Sequence, residues 1–193
     1  MATDSSAGST REQILDAAEN LFATQGYQAT TIKQVAEQVG VQGPALYKHF
    51  NSKRALVVEV LERLFTPFVS MMADEDDLPN TLQSIVRQQL ANPNASRIVQ
   101  LATLSGGEDL ALLVDRWYLP FFKSARELAS KGQPGDTAVS VMAFHSMLLG
   151  YLTLAPLHQA IFATDPLADD ALKELLELEA SFANLLTPPA ATD

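Results

Sequence analysis

Apolar residues recur along this chain at the three- and four-residue steps of a helix, with no sustained two-residue alternation of a strand. The first quarter divides into short amphipathic segments. Ser9-x-x-Glu12 is a capping box opening a helix whose apolar face is Ile14, Leu15, Ala18, Leu21 and Phe22. Gly26 is expected to close that helix as a left-handed cap. A second box, Thr31-x-x-Gln34, precedes Ile32, Val35, Ala36 and Val39, and Gly40 stops the segment. Gln42-Gly43-Pro44 starts a third helix, since proline is tolerated in a first turn. Leu46 and Phe50, four apart, point inward there. Asn51 or Ser52 then caps a long fourth helix carrying Leu56, Val57, Val60, Leu61, Leu64, Phe65 and Phe68.

Beyond it the acidic run Asp74-Glu75-Asp76-Asp77 with Pro79 marks a loop. Helical patterns resume at about 80–91, 95–105, 107–131, 136–163 and 168–187. The breaks hold Asn92-Pro93, Gly106-Gly107, Gly132 to Gly135 and Asp165-Pro166, and the tail from Thr187 to Asp193 is expected to fray. The fold class is therefore all-α. It divides into an N-terminal arm and helix-turn-helix domain, residues 1–52, and a larger helical body with its connecting helix, residues 53–193.

Two short helices joined by a tight glycine-containing turn form a helix-turn-helix pattern. The third helix hides Leu46 and Phe50, so Tyr47, Lys48 and His49 largely point outward. A polar, aromatic and cationic face of this kind suits a polyanion. Pro44 stiffens the helix start, Gly43 permits close approach of backbone to a surface, and Lys53 just after a cap can meet a phosphate.

Charge sharpens this picture. Residues 1–56 carry five basic and five acidic groups, so the remainder holds the whole net charge of −10. An acidic body repels phosphate, which confines nucleic-acid contact to the N-terminal quarter. With no cysteine, disulfides and thiolate metal sites are excluded. The first ten residues lack a basic region followed by an apolar one, and a cytoplasmic protein is expected.

At this point LFATQGYQATTIKQVAEQVGVQGPALYKHFNSKRAL resembles the DNA-binding domain of the TetR family of transcriptional regulators. The likeness runs from Ile14 to Val58. Gly26-Tyr27, Thr30-Thr31, Ala36, Gly40-Val41, Leu46-Tyr47, Phe50 and Lys53 fall at the family's spacing. It implies a homodimer that binds a pseudo-palindromic double-stranded operator, most often as a repressor, and is released by a small molecule. It also implies that Thr31 and Lys33 meet backbone or base and that Gln42, Gly43, Pro44, Tyr47, Lys48 and His49 form the recognition surface. Lys53 would then hold a phosphate. Where many members have Ser-Lys-Gly-Thr, this chain has Gln42-Gly43-Pro44-Ala45, which removes two potential backbone contacts.

The stretch from Thr137 to Thr164 contains no Asp, Glu, Lys or Arg and is long enough to span a bilayer. Ser140, His145, Ser146, Pro156, His158 and Gln159, with acids at both ends, argue instead for a helix buried on one side by its own chain and on the other by a second copy. That copy would also meet Leu172, Leu175, Leu176, Phe182 and Leu186 of the last helix, in a four-helix bundle. An effector site is expected where Phe65, Phe68 and Met72 of the fourth helix face Trp117, Tyr118 and Phe121, with Met142, His145 and Leu149 as a third side. Its ligand would be small and mostly apolar or aromatic. His145 reads first as a core histidine with one partner, and any one of the aromatics as plain core. No enzyme is expected: the three histidines lie far apart, and HExxH, GxSxG and phosphate-loop motifs are lacking. No cofactor or metal is expected. The rival is a helical adaptor or small-molecule-binding protein without specific DNA binding.

Overall fold

The computed structural model describes residues 9–74, 78–130 and 137–186, and every described element is helical. In chain order the elements are α1 (Thr10–Ala29), α2 (Ile32–Val39), α3 (Gly43–Leu46), α4 (Lys53–Asp74) and α5 (Leu78–Ala91). There follow α6 (Asn94–Ser105), α7 (Gly107–Leu113), a π turn (Val114–Tyr118), α8 (Leu119–Ser130), α9 (Thr137–Phe162) and α10 (Asp169–Leu186). The residues form two compact units. One takes the chain up to Thr66 together with Arg97–Leu113, and the other takes Pro67–Ser96 with the chain from Val114 onward.

In the first unit α1 packs on α2 and α2 on α3. Thr31 forms a complete capping box, its hydroxyl accepting from the Gln34 amide at 3.2 Å while the Gln34 side chain accepts from the Thr31 amide at 2.8 Å. Gly40 ends α2 in the left-handed region, φ 75 and ψ 24, where glycine carries no Cβ penalty. Ser52 caps α4, accepting from the Ala55 amide at 3.0 Å. Gly26 interrupts α1, as its position implies, but with φ 81 and ψ 163 rather than in the left-handed helical region that Gly40 adopts. These angles suit glycine almost alone, and a second short helical run, Tyr27 to Ala29, follows the kink.

The core of this unit is drawn from Ile14, Ala18 and Phe22 of α1, Val35 and Ala36 of α2, and Leu46 and Phe50, all buried. Leu56, Val60, Leu61 and Leu64 of α4 complete it. An ion cluster ties α4 to α1. Arg63 meets Asp16 at 2.7 Å and Glu12 at 3.7 Å, and pairs with the buried Glu19. Burial works against the Arg63 charge, but hydrogen bonds to Glu19 and Asp16 outweigh it and raise its pKa.

In the second unit α5 packs on α10 and α8 on α9. The expected helix over 107–131 is broken into α7, the π turn and α8. Pro120 supplies the reason: it has no N–H for the Arg116 carbonyl and its ring would strike that group, so the helix widens just before it. The expected loop at Pro79 also moves, because Pro79 lies in the first turn of α5, where its missing N–H costs nothing. Residues 75–77, the Gly132–Gly135 break and the tail from Thr187 lie outside the described residues.

The π turn and α8–α9 bury Trp117, Ala125, Phe144, Leu148 and Leu152. Gln89 and Ser96, both buried, satisfy each other through a 2.7 Å hydrogen bond from the Ser96 hydroxyl. Within one chain α9 is covered on one side only. Val139, Met142, Leu157 and Ile161 lie on its open face, each more than half exposed. Its segment Val141–Phe162 is long and apolar enough to cross a bilayer by length and composition.

Candidate nucleic-acid interface

The expected recognition surface stands on a short scaffold. Only Gly43–Leu46 is α-helical, one turn with Pro44 in its first positions. Tyr47, Lys48 and His49 continue it as tighter turns, with the Lys48 and His49 amides donating three residues back, to Ala45 at 3.2 Å and Leu46 at 2.9 Å. Phe50 returns to a four-residue step, donating to Leu46 at 3.1 Å. Leu46 and Phe50 are buried, as their spacing implies, and hold the segment down while Tyr47, Lys48 and His49 project into solvent.

Gln42 is the N-terminal flank of this turn, exposed and making no side-chain cap. Gly43 is informative by what does not require it. A Cβ built there meets nothing within 4 Å, and its φ is not among the positive ones. Among the described residues neither packing nor backbone conformation demands glycine at this position.

Thr31 is exposed, but its hydroxyl is engaged in the capping box. Lys33 is also exposed and lies 3.6 Å from Glu37 on the same helix face, a surface pair of small worth that a phosphate can replace. Lys53 is held most firmly of the candidate cations. Its ammonium lies 4.0 Å from the centroid of the Tyr27 ring and donates to the Gln28 carbonyl at 3.5 Å. Partial burial lowers its pKa, while the charge of Asp109 pulls the other way. A lysine braced against an aromatic ring loses less side-chain entropy when it meets a phosphate.

Several contributors were not singled out from the sequence. Tyr27 braces Lys53, and Gln25 stitches α1 to α2 through 3.2 Å and 3.3 Å bonds to Thr30 and Gln34. Arg11 packs over the Phe50 ring and pairs with Glu59, which spends it on structure. Asp109 of α7 accepts from Gln28 at 3.0 Å and lies 3.8 Å from Arg54. The Gly26-Tyr27 doublet was legible as a motif, whereas Asp109 lies 55 residues from Arg54 and carried no local signal.

The expected effector residues are dispersed. Phe65 lies in the first unit and the other eight in the second. Phe65, Phe68, Met72 and Trp117 are buried, Phe121 and Leu149 half-buried, and Met142 exposed. Tyr118 and His145 do come together, hydroxyl to Nε2 at 3.4 Å. Phe122, which stands in the same aromatic stretch as Trp117, Tyr118 and Phe121, completes this cluster, its ring 5.2 Å from that of His145 and 5.3 Å from that of Phe121. Burial pushes the Tyr118 hydroxyl up and the His145 imidazole down to about 4, so both are neutral, and the imidazole tautomer sets which of the two donates. The described residues contain no group of three or more His, Cys, Asp and Glu able to hold a metal.

Residues 14–60 match the model of the bacterial regulatory proteins of the tetR family. Over 80 residues the chain is 37% identical to the HTH-type transcriptional repressor KstR2 of Rhodococcus jostii, covering 39% of each protein. Over 60 residues it is 42% identical to the HTH-type transcriptional activator FasR of Mycolicibacterium smegmatis, covering 31% of this chain and 27% of that one. The chain thus matches well under half the length of these relatives. The fold extends further: the structure of the fatty acid degradation regulator FadR from Bacillus halodurans superposes with a TM-score of 0.67 over 97% of this chain and 99% of that one, at 21% identity. The N-terminal segment of this chain thus matches the DNA-binding domain model of the bacterial regulatory proteins of the tetR family, and its helical architecture matches a solved regulator in fold.

Proposed function

We propose that the chain is a cytoplasmic DNA-binding transcriptional regulator, a repressor that binds a pseudo-palindromic operator as a homodimer and leaves it when a small, mostly apolar molecule binds. The observation that carries the DNA-binding part is the surface of Gln42, Gly43, Pro44, Tyr47, Lys48 and His49, exposed or half-exposed over a buried Leu46 and Phe50, with a glycine that no packing among the described residues requires. Phosphate contacts would come from Lys53 and Lys33, and base or backbone contacts from the turn itself.

The homodimer is supported by the open apolar face of α9, from Val139 through Met142 and Leu157 to Ile161, with Leu178 exposed on α10. A second copy is the occupant that a two-fold operator requires. Leu172 and Leu176 are half-buried and Leu175 buried in the single chain. The side chains of Phe182 and Leu186 lie outside the described residues. For the effector, the neutral cluster of Tyr118, Phe122 and His145 offers aromatic surface and two polar atoms, which suits a ligand with one or two polar groups. Release follows only if that ligand prefers the state that does not hold DNA.

The test uses a duplex selected from a random pool by the purified chain. Gly43→Ala should leave the protein as stable as before, or slightly more so, because alanine costs less entropy in a helix. It should nevertheless weaken binding to the selected duplex by about tenfold or more, since a well-made contact is worth at least that much. Unchanged affinity for the duplex in Gly43→Ala, Tyr47→Ala and Lys48→Ala alike would refute the interface.

A further inference from the structure

The first unit contains a cavity of about 240 Å³ that none of the effector residues expected from sequence lines. Its walls come from α1, α4, α6 and α7, and all lie within one compact unit. Phe22, Tyr27, Leu61, Ile98, Leu101 and Ala102 make it mostly apolar. The space exceeds a cavity of about 150 Å³ that suffices for benzene, so a substituted single ring fits. The bend at Gly26 helps shape it: a Cβ there would stand 4.0 Å from Leu101, and the φ of 81 excludes most other residues.

One wall carries a negative charge. The Asp109 side chain is only 13% exposed, and its two oxygens are unequally served. Oδ2 accepts from Gln28 at 3.0 Å, whereas Oδ1 has Arg54 at 3.8 Å, within ion-pair range but beyond a hydrogen bond. A carboxylate in an apolar pocket, with an acceptor short of a close donor, favours a cationic donor over a neutral one and repels an anion.

We propose that this cavity is a ligand site for a compact aromatic or branched aliphatic amine, its ring among Phe22, Leu61 and Leu101 and its ammonium on Asp109 Oδ1. The site borders the phosphate-binding edge. Arg54 and Lys53 both feel the Asp109 charge, and Tyr27 lines the cavity while bracing Lys53. An ammonium on Asp109 withdraws that negative charge from Lys53 and Arg54, leaving them more attractive to a phosphate. Occupancy therefore strengthens DNA binding, the opposite sign to release, and by reciprocity DNA strengthens amine binding. This coupling rests on the regulator reading; the amine site does not.

The experiment titrates the full chain with 2-phenylethylamine, 2-phenylethanol and 3-phenylpropanoate, followed by calorimetry and ligand-observed NMR. The amine should bind about tenfold more tightly than the alcohol, the difference between a charge-assisted and a neutral hydrogen bond, and the carboxylate not at all. Asp109→Asn should abolish the amine's advantage while keeping the alcohol, and Ala102→Leu should exclude both by filling the space. Should Ala102→Leu fail to fold, Asp109→Asn alone decides. Equal binding of all three compounds, no binding of the amine, or an amine preference that survives in Asp109→Asn would overturn the site.

A duplex titration then tests the coupling. Saturating amine should raise the wild-type affinity for DNA several-fold; Asp109→Asn should show raised affinity without amine and no response to it. Affinity lowered or unmoved by bound amine would overturn the coupling. If the wild-type chain binds no duplex, the regulator reading falls with the coupling, while the three-compound titration still decides the site.

Discussion

His145 gives the second unit a pH dependence whose size follows from its surroundings. Packed against Tyr118 and Phe122, its imidazole is held at about 4 against an ordinary value of 6.5, through loss of solvation. The folded chain therefore keeps it neutral where the unfolded chain protonates it. Below pH 6.5 the unfolded state binds the extra proton, so stability falls as pH drops toward 4 and then levels off. A gap of about 2.5 pH units at about 1.4 kcal/mol each gives a total loss of about 3.5 kcal/mol. By pH 4.5 about 2.5 kcal/mol of this should be gone. Replacing the imidazole by a ring that cannot titrate, His145→Phe, should remove this component while leaving the contribution of carboxylates elsewhere. Guanidinium unfolding at pH 7.5 and pH 4.5, read from the lone tryptophan, Trp117, reports on the same unit. Wild type should lose about 2.5 kcal/mol more than His145→Phe between the two pH values. Equal losses, or a His145 imidazole titrating near 6.5 by NMR, would refute the burial argument.

Lys53→Ala should lower the salt dependence of duplex binding by about 0.9 in log–log slope, the signature of one lost phosphate contact. Tyr27→Ala should reproduce part of the affinity loss with an unchanged slope, because it removes the brace and not the charge; competition titrations at several salt concentrations separate the two. Leu46→Ala, at a fully buried position, should cost about 2–5 kcal/mol by denaturant unfolding, whereas Tyr47→Ala on the exposed side should cost little. Sedimentation should give a species near twice the 20.9 kDa chain mass, and Met142→Lys with Ile161→Lys should yield monomers that remain folded. A wild-type monomer would remove the dimer from the reading.

Local signals within one helical turn were sufficient for much of the N-terminal domain. The Thr31–Gln34 box, the stop at Gly40, the Ser52 cap and the burial of Leu46 and Phe50 all depend on partners three or four residues apart. Such interactions form the same way wherever the segment sits, so the sequence alone determined them. The exposure of Tyr47, Lys48 and His49 followed as the complement of the buried pair. Tertiary structure decided what depends on distant partners: Arg63 on Asp16 and Glu19, Arg11 on Glu59, and Asp109 on Gln28 and Arg54. It also decided that a second short helical run follows the break at Gly26 and carries Tyr27 under Lys53. The meeting of Tyr118, Phe122 and His145 arises from α8 packing on α9, whereas the π turn follows locally from Pro120. Charge totals count Lys53, Arg54 and Asp109 alike wherever they lie, but Coulomb energy depends on separation and solvent, which only the folded chain sets.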